Sequence, residues 1–378
     1  MPYDFDTPIE RRGTSSLKWE KYRGRDIIPL WVADMDFAAP PAVIAAIRLH
    51  VDHGVYGYTL PPDELVHAVT DMLERVHAWK ASPDWIVWLP GLVTGINVAC
   101  RAGGASGDEI MTTTPAYPPF LSAPAFSGRS LLAVPHEKDG ENYVFDYDGL
   151  ERAVTSRTRM FLLCNPQNPT GRVFTREELL RLAEICLKHG IIICSDEIHC
   201  GLVLDRGTQH LSLAALDKEI SRNTITLLAP SKTYNLPGLG CSFAVIPDPE
   251  LRRSFTRVMR GIVPHVNAFG YTAAAAAYRD SEDWRLDLLD YLRANRDLVE
   301  EFIAGKPGLS MCHVEATYLA WIDARGLDAG NPAAFFEQAG VGLSDGTDFG
   351  APGFVRLNFG CPRSILNQAL ERMGNALK

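Results

Sequence analysis

The sequence lacks any apolar run approaching the about 18 residues a membrane-crossing helix requires. It also lacks a basic excess: 37 Lys and Arg stand against 46 Asp and Glu, a formal net charge of −9. Nucleic-acid binding wants a basic stripe or patch, so that class is set aside. The opening residues MPYDFDTPIERRG carry neither a basic nor an apolar leader segment. Eight cysteines in 378 residues are too few for a disulfide scaffold, and none are spaced C-x-x-C. Most sit in apolar strings such as Ile191-Ile192-Ile193-Cys194, where cysteine acts as a small hydrophobe. Cys194, His199 and Cys200 lie close together but miss the spacing and fourth ligand of a structural zinc site. No metal is expected there, and His50 and His53 read as surface imidazoles at a helix end. A soluble, cytoplasmic protein without nucleic-acid or membrane partners is the expectation.

What is present is an average globular composition, 46% hydrophobic and 22% charged, on a chain too long for one core. Short apolar runs alternate with helical patterns, the mark of a sheet covered by helices. Strands are predicted at 85–89, 109–113, 130–134, 160–164, 191–194, 224–228 and 242–246. Helices are predicted from Pro40-Pro41 to about His50, over 62–79 and over 92–101. Another opens with the capping box Thr175-Arg-Glu-Glu178 and ends near Gly190. Beyond Pro247 the pattern turns helical for a long stretch. A smaller mixed unit follows, with strands at 318–322 and 354–358 and helices at 332–338 and 364–377. The alanine run 273–277 reads as a helix packed on a close neighbour.

Three segments place polar groups just after buried strands, where an open α/β sheet forms its ligand crevice. Ile193-Cys-Ser-Asp-Glu-Ile-His199 ends an apolar run in two carboxylates. Leu228-Ala-Pro-Ser-Lys-Thr-Tyr-Asn235 brings out Lys232, whose burial would lower its pKa and free a nucleophilic amine. Asn165-Pro-Gln-Asn-Pro-Thr-Gly171 holds Asn168 between two Asn-Pro steps. Taken singly these read as a helix cap, a surface lysine and a tight turn. Together they supply what pyridoxal phosphate asks: an amine for an imine, a carboxylate for the ring nitrogen and an amide for the phenolic oxygen. Gly91-Leu-Val-Thr94 at a helix start adds a phosphate site, and Tyr117 a flat ring to stack on the pyridine.

At these residues the sequence resembles the fold-type I pyridoxal phosphate enzymes of the aminotransferase class I/II superfamily. The nearest likeness is to their carbon–sulfur β-lyase branch, the cystathionine β-lyases. The resemblance spans nearly the whole chain. It is carried by Leu30-Trp-Val-Ala-Asp-Met-Asp-Phe37, Tyr56-Gly-Tyr58, Asn165–Gly171, Ser195-Asp-Glu-Ile-His199, Ser231-Lys-Thr-Tyr-Asn235 and Val355-Arg-Leu-Asn-Phe359. It implies a large, mostly parallel seven-stranded α/β domain over residues 45–281 and a smaller α+β domain over 282–378. The segment 1–44 would pack with the small domain.

By the same resemblance Lys232 is the Schiff-base lysine, Asp196 pairs with the ring nitrogen and Asn168 meets the phenolic oxygen. Val93, Thr94 and Ser231 hold the phosphate, and Tyr58 reaches a second copy's site in a homodimer with shared active sites. Arg356 clamps the substrate carboxylate, with Ala33, Asp34 and Asn168 beside it. Two departures from wider aminotransferase patterns stand out: Gly240 where many members carry a phosphate-binding arginine, and Ala229 where a serine is common. His199 occupies a place where a tyrosine often bonds the phenolic oxygen. The implied reaction is α,β-elimination from a cysteine-S-conjugate such as cystathionine, giving thiol, pyruvate and ammonia. Amino transfer with the same cofactor residues is the alternative. A third reading, a pyridoxal phosphate fold kept for binding or regulation, is opposed by the retention of Lys232, Asp196, Asn168 and Arg356.

Overall fold

The computed structural model describes residues 2–378. Seven strands form the large sheet: β1 (Ile86–Leu89), β2 (Glu109–Thr114), β3 (Ser130–Pro135), β4 (Thr158–Cys164), β5 (Ile192–Asp196), β6 (Thr224–Leu228) and β7 (Ser242–Val245). Their order is β1-β7-β6-β5-β4-β2-β3. Neighbours from β3 to β6 pair parallel, while β7 runs antiparallel to both β6 and β1. This is the mostly parallel seven-stranded sheet the resemblance implied. Parallel strands covered on both faces are continuously apolar, and every residue of β6 is buried. Successive side chains alternate faces: Ile193 enters the core beneath Leu179 and Leu182, and Cys194 the core around Leu92 and Ile96.

Two boundaries differ from the sequence expectation for a physical reason. β5 starts one residue later and runs on through Ser195 to Asp196, because Asp196 is paired with Cys164 on one side and Leu227 on the other. The ladder on both flanks thus carries a polar pair inside the sheet. The long helical stretch after Pro247 is three helices, Pro249–Met259, Ala268–Asp280 and Glu282–Ala304. The second of these packs its alanines against helices Pro41–His53 and Asp63–His77.

A second sheet is formed by β8 (Ser310–Met311), β9 (Leu319–Asp323), β10 (Ser344–Asp345) and β11 (Phe354–Asn358), with β9 and β11 at its centre. Its apolar side shares one core with the amino-terminal segment: Phe5, Leu30, Met35 and Phe37 pack with Trp284, Leu288, Leu319, Val355 and Phe359. Ile28-Pro29 pairs parallel with Val341-Gly342, fixing that segment alongside the carboxyl-terminal unit. No helix is long and apolar enough to cross a membrane among the described residues.

Candidate active site

The carboxyl ends of β4, β5 and β6 and the start of helix Leu92–Ala102 converge on a cavity of about 220 Å³. It is lined by Ala33, Val93, Thr94, Tyr117, Asn168, Asp196, His199, Ser231 and Lys232, along with Cys164, Ile198, Ala229 and Gly240. Nine of the residues singled out from sequence therefore share one space.

Lys232 follows β6 and is wholly enclosed. Burial, then the charge of Arg356, lowers its pKa to about 8, against opposing pulls from Asp34 and Asp196. Its Nζ donates to the Ala33 carbonyl at 2.6 Å, an acceptor also held by the Tyr318 hydroxyl at 3.0 Å. Asp196 is the last residue of β5. Burial raises its pKa to about 7, although the Ile198 amide donates to its Oδ1 at 3.1 Å and Lys232 lies near. Burial likewise pushes His199 down to about 3, so its ring is neutral, and its Nδ1 has no partner.

Asn168 is fixed by the loop around it. Gln167 Nε2 donates to the Pro115 carbonyl at 2.8 Å, and Gln167 Oε1 accepts from the Thr170 hydroxyl at 2.6 Å. The Asn168 side-chain carbonyl accepts from Arg356 Nη1 at 2.8 Å. Arg356 sits at the middle of β11 and is 5% exposed. Its Nη2 donates to the Trp31 carbonyl at 3.0 Å, and its Nε has no partner among the described residues. Burial lowers its pKa to about 10, which leaves the guanidinium charged at neutral pH.

Helix Leu92–Ala102 starts after Gly91 without a side-chain cap. Its first amides are thus free for an anion, and the helix is long enough to add a positive dipole end. Gly240 lies beside this terminus with φ +59°, and a Cβ there would sit 3.0 Å from the Pro90 carbonyl oxygen. A side chain at this position would be strained in the present backbone.

Three predicted residues lie outside the lining of this cavity: Asp34, Tyr58 and Arg356, the last of which reaches it through Asn168. Asp34 is ion-paired with Arg11 at 2.9 Å, next to a buried cluster that sequence reasoning missed. In that cluster Asp36 accepts from Lys18 Nζ at 2.7 Å, Arg11 Nη1 at 2.6 Å and Trp19 Nε1 at 2.9 Å. Burial raises the Asp36 carboxyl, but the Lys18 ammonium and these hydrogen bonds outweigh it and hold the pKa below the usual carboxylate range. Tyr58 is fully exposed on the segment between two helices and lines a separate groove with Tyr56 and Phe269. Tyr318 was also missed, since its strand signals only burial.

The cavity tests the cofactor expectation directly. Asp196 is a fully buried carboxylate with no cationic hydrogen-bond partner, as a protonated ring nitrogen requires. A free helix terminus stands ready for phosphate, and an enclosed amine tuned toward neutrality lies between them. These residues fit pyridoxal phosphate.

Sheet order, crevice and residue set together define a fold-type I α/β enzyme. The chain belongs to the aminotransferase class I and II family, whose model matches residues 25–373. Cystathionine beta-lyase PatB of Bacillus subtilis is 39% identical, over 99% of this chain and all of its own. Among solved structures, the crystal structure of OvoB superposes with a TM-score of 0.98 at 46% identity, covering 100% of this chain and 99% of the other. Cystalysin from Treponema denticola, containing pyridoxal 5'-phosphate, superposes at 0.96 with 32% identity, covering 100% and 99%.

Proposed function

We propose that the protein is a pyridoxal phosphate-dependent carbon–sulfur β-lyase acting on cystathionine or another cysteine-S-conjugate. One observation carries this reading. An enclosed lysine with its pKa lowered to about 8 shares a cavity with the buried carboxylate Asp196, next to a buried arginine with an unpartnered Nε. The full-length likeness to a cystathionine β-lyase supports the same conclusion.

The bound cofactor supplies an electron sink for the substrate's α-carbon. Arg356 holds the substrate α-carboxylate and Asn168 keeps that guanidinium in place. Ala33 and Asp34 flank the same position. Lys232 Nζ removes the Cα proton, which a lysine tuned toward neutral pH can do without strong base. The Cβ–S bond breaks with both electrons leaving on sulfur, and Lys232 returns a proton to the thiolate. Hydrolysis of the remaining three-carbon fragment gives pyruvate and ammonia. Asp196 would keep the ring nitrogen of the bound cofactor protonated, Tyr117 would supply a flat ring to stack on it, and the amides of Val93 and Thr94 with Ser231 would hold its phosphate. His199, neutral and without a partner at Nδ1 among the described residues, would be free to hydrogen-bond the cofactor.

Tyr58 acts in the site of a second copy. Its complete exposure, in a groove with Tyr56 and Phe269, suits a homodimer with shared sites. Residues 1–44 and 282–378 form one unit closing over the cofactor-binding residues 45–281. Eight cysteines without a disulfide suit the reducing cytoplasm. The test is incubation of the holoenzyme with cystathionine and no keto acid. Release of thiol and pyruvate is expected; absence of both, with amino transfer once a keto acid is added, would overturn the reading.

A further inference from the structure

The acceptor that Lys232 uses is shared. Its Nζ donates to the Ala33 carbonyl at 2.6 Å, and the Tyr318 hydroxyl donates to the same oxygen at 3.0 Å. Two donors on one oxygen bring Tyr318 into the immediate surroundings of the reacting amine. Tyr318 is 1% exposed, and its ring meets that of His199 edge to face with centroids 6.3 Å apart. Its hydroxyl makes no other hydrogen bond among the described residues.

Both sides of this contact are held in place. On one side, Asn358 Nδ2 donates to the carbonyls of Val32 at 2.6 Å and Asp34 at 2.7 Å, the residues that flank Ala33. On the other, the Tyr318 carbonyl accepts from the Phe359 amide at 2.9 Å, one residue on from Asn358. Thr317, just before Tyr318, has φ +77°, a left-handed backbone that β-branched residues avoid. Its amide donates to the Leu202 carbonyl at 2.9 Å, and its hydroxyl accepts from the Leu319 amide at 3.1 Å. Strain kept in this way, one residue from a buried polar group beside the reacting amine, marks a side chain whose aim matters.

The charged and titratable groups facing Lys232 are Asp196 at the end of β5, His199 beyond it, Arg356 in β11 and Asp34 next to Ala33. Tyr117 and Cys164 share its cavity. The Ala33 carbonyl is nevertheless the only hydrogen-bond partner of Nζ among the described residues. With its hydrogen turned to that oxygen, the Tyr318 hydroxyl occupies one of the two lone pairs and sets the positive end of its dipole beside the amine. A positive end placed there disfavours the ammonium.

We propose that Tyr318 is a positioning residue for Lys232: through the shared Ala33 carbonyl its hydroxyl aims the free amine for proton transfer and favours its neutral, basic form. This rests on Lys232 being the base, and it holds for elimination and amino transfer alike.

The test is Tyr318→Phe, which keeps the ring and its burial and removes only the hydroxyl. Turnover of cystathionine by the holoenzyme should fall on the order of tenfold in kcat, with KM within about twofold of wild type. The cofactor-free full chain gives a readout apart from turnover. Visible absorbance develops when pyridoxal phosphate is added, at a rate that rises as the attacking amine loses its proton, with a midpoint at about pH 8 in wild type. In Tyr318→Phe that midpoint should move up by about half a pH unit. A kcat within about twofold of wild type, a loss entering only through KM, or an unmoved midpoint would overturn the positioning role and leave Lys232 as the base. No absorbance from the wild-type chain would overturn the reading of Lys232 and the positioning role with it.

Discussion

Replacing Arg356 by lysine keeps a positive charge at the centre of β11 but removes the fork. In the native protein one guanidinium donates to Asn168 Oδ1 at 2.8 Å and to the Trp31 carbonyl at 3.0 Å, with Nε in reserve. It also lies 4.7 Å over the Phe349 ring. A lysine ammonium cannot satisfy Asn168 and Trp31 and still present two parallel donors to a carboxylate. The loss is then one charge-assisted hydrogen bond to substrate, about 1.5–3 kcal/mol. At about 1.4 kcal/mol per decade this is a 10- to 150-fold fall in kcat/KM. Because the carboxylate is held alike before and during the reaction, the fall should enter through KM. Initial rates of thiol release across a range of cystathionine concentrations, with the visible spectrum recorded to confirm cofactor loading, measure it. An Arg356→Lys enzyme within about threefold of wild type, or one slowed only in kcat, would refute the clamp.

Lys232→Ala should abolish turnover and remove the visible absorbance that borohydride bleaches, while the chain still folds; substantial residual lyase activity would contradict its role. Asp196→Asn should slow elimination by on the order of 10²- to 10³-fold, since a preorganised charge is lost from a dry site, and a loss under tenfold would count against the ring-nitrogen pairing. Burial sets His77 and His136 at about 4 in the folded protein, against 6.5 unfolded. Between those values the unfolded chain takes up protons that the folded one refuses, so stability is full above pH 6.5 and falls toward pH 4. For His136, between Phe145 and Phe174, this is worth about 3 kcal/mol at most. His136→Phe should therefore show a smaller drop in Tm between about pH 7 and 4.5 than wild type, and an equal drop would sink the assignment.

Much of the fold was legible because parallel strands buried on both faces read as plain apolar runs, as β4 does from Met160 to Cys164. The capping box at Thr175 was legible for a related reason: it is a local device, and both of its hydrogen bonds form. Asp196 was harder. Its polarity argued for a loop, yet hydrogen-bonded neighbours on either side keep it in the strand. The partners of Asp34 and Asp36 left no trace at all. Arg11 and Lys18 lie 18 to 25 positions from the carboxylates they bond, beyond the reach of any local pattern, and Lys18 in Leu17-Lys-Trp-Glu20 reads as a surface residue although it is wholly buried. Tyr58 marks the opposite limit, since an exposed tyrosine on an irregular segment carries no local signal, and only the family resemblance singled it out.

Besides the side chains of Asp34 and Asp36, the segment Trp31–Phe37 is held through most of its carbonyls. Asn358 Nδ2 donates to Val32 and Asp34, Arg356 to Trp31, Asn235 to Met35 and Phe37, and Lys232 to Ala33. The residues nearest the amino terminus are thus held by groups up to 326 positions later in the chain. At about 5–20 residues per second, a ribosome delivers those groups roughly 15–60 seconds after the segment itself has emerged. Through that interval the sheet can form from its own neighbours while the segment waits, so the substrate site closes only after β11 has emerged. Chains interrupted before β11 would carry the lysine and its carboxylate but lack the anchors that Arg356 and Asn358 give to Trp31, Val32 and Asp34.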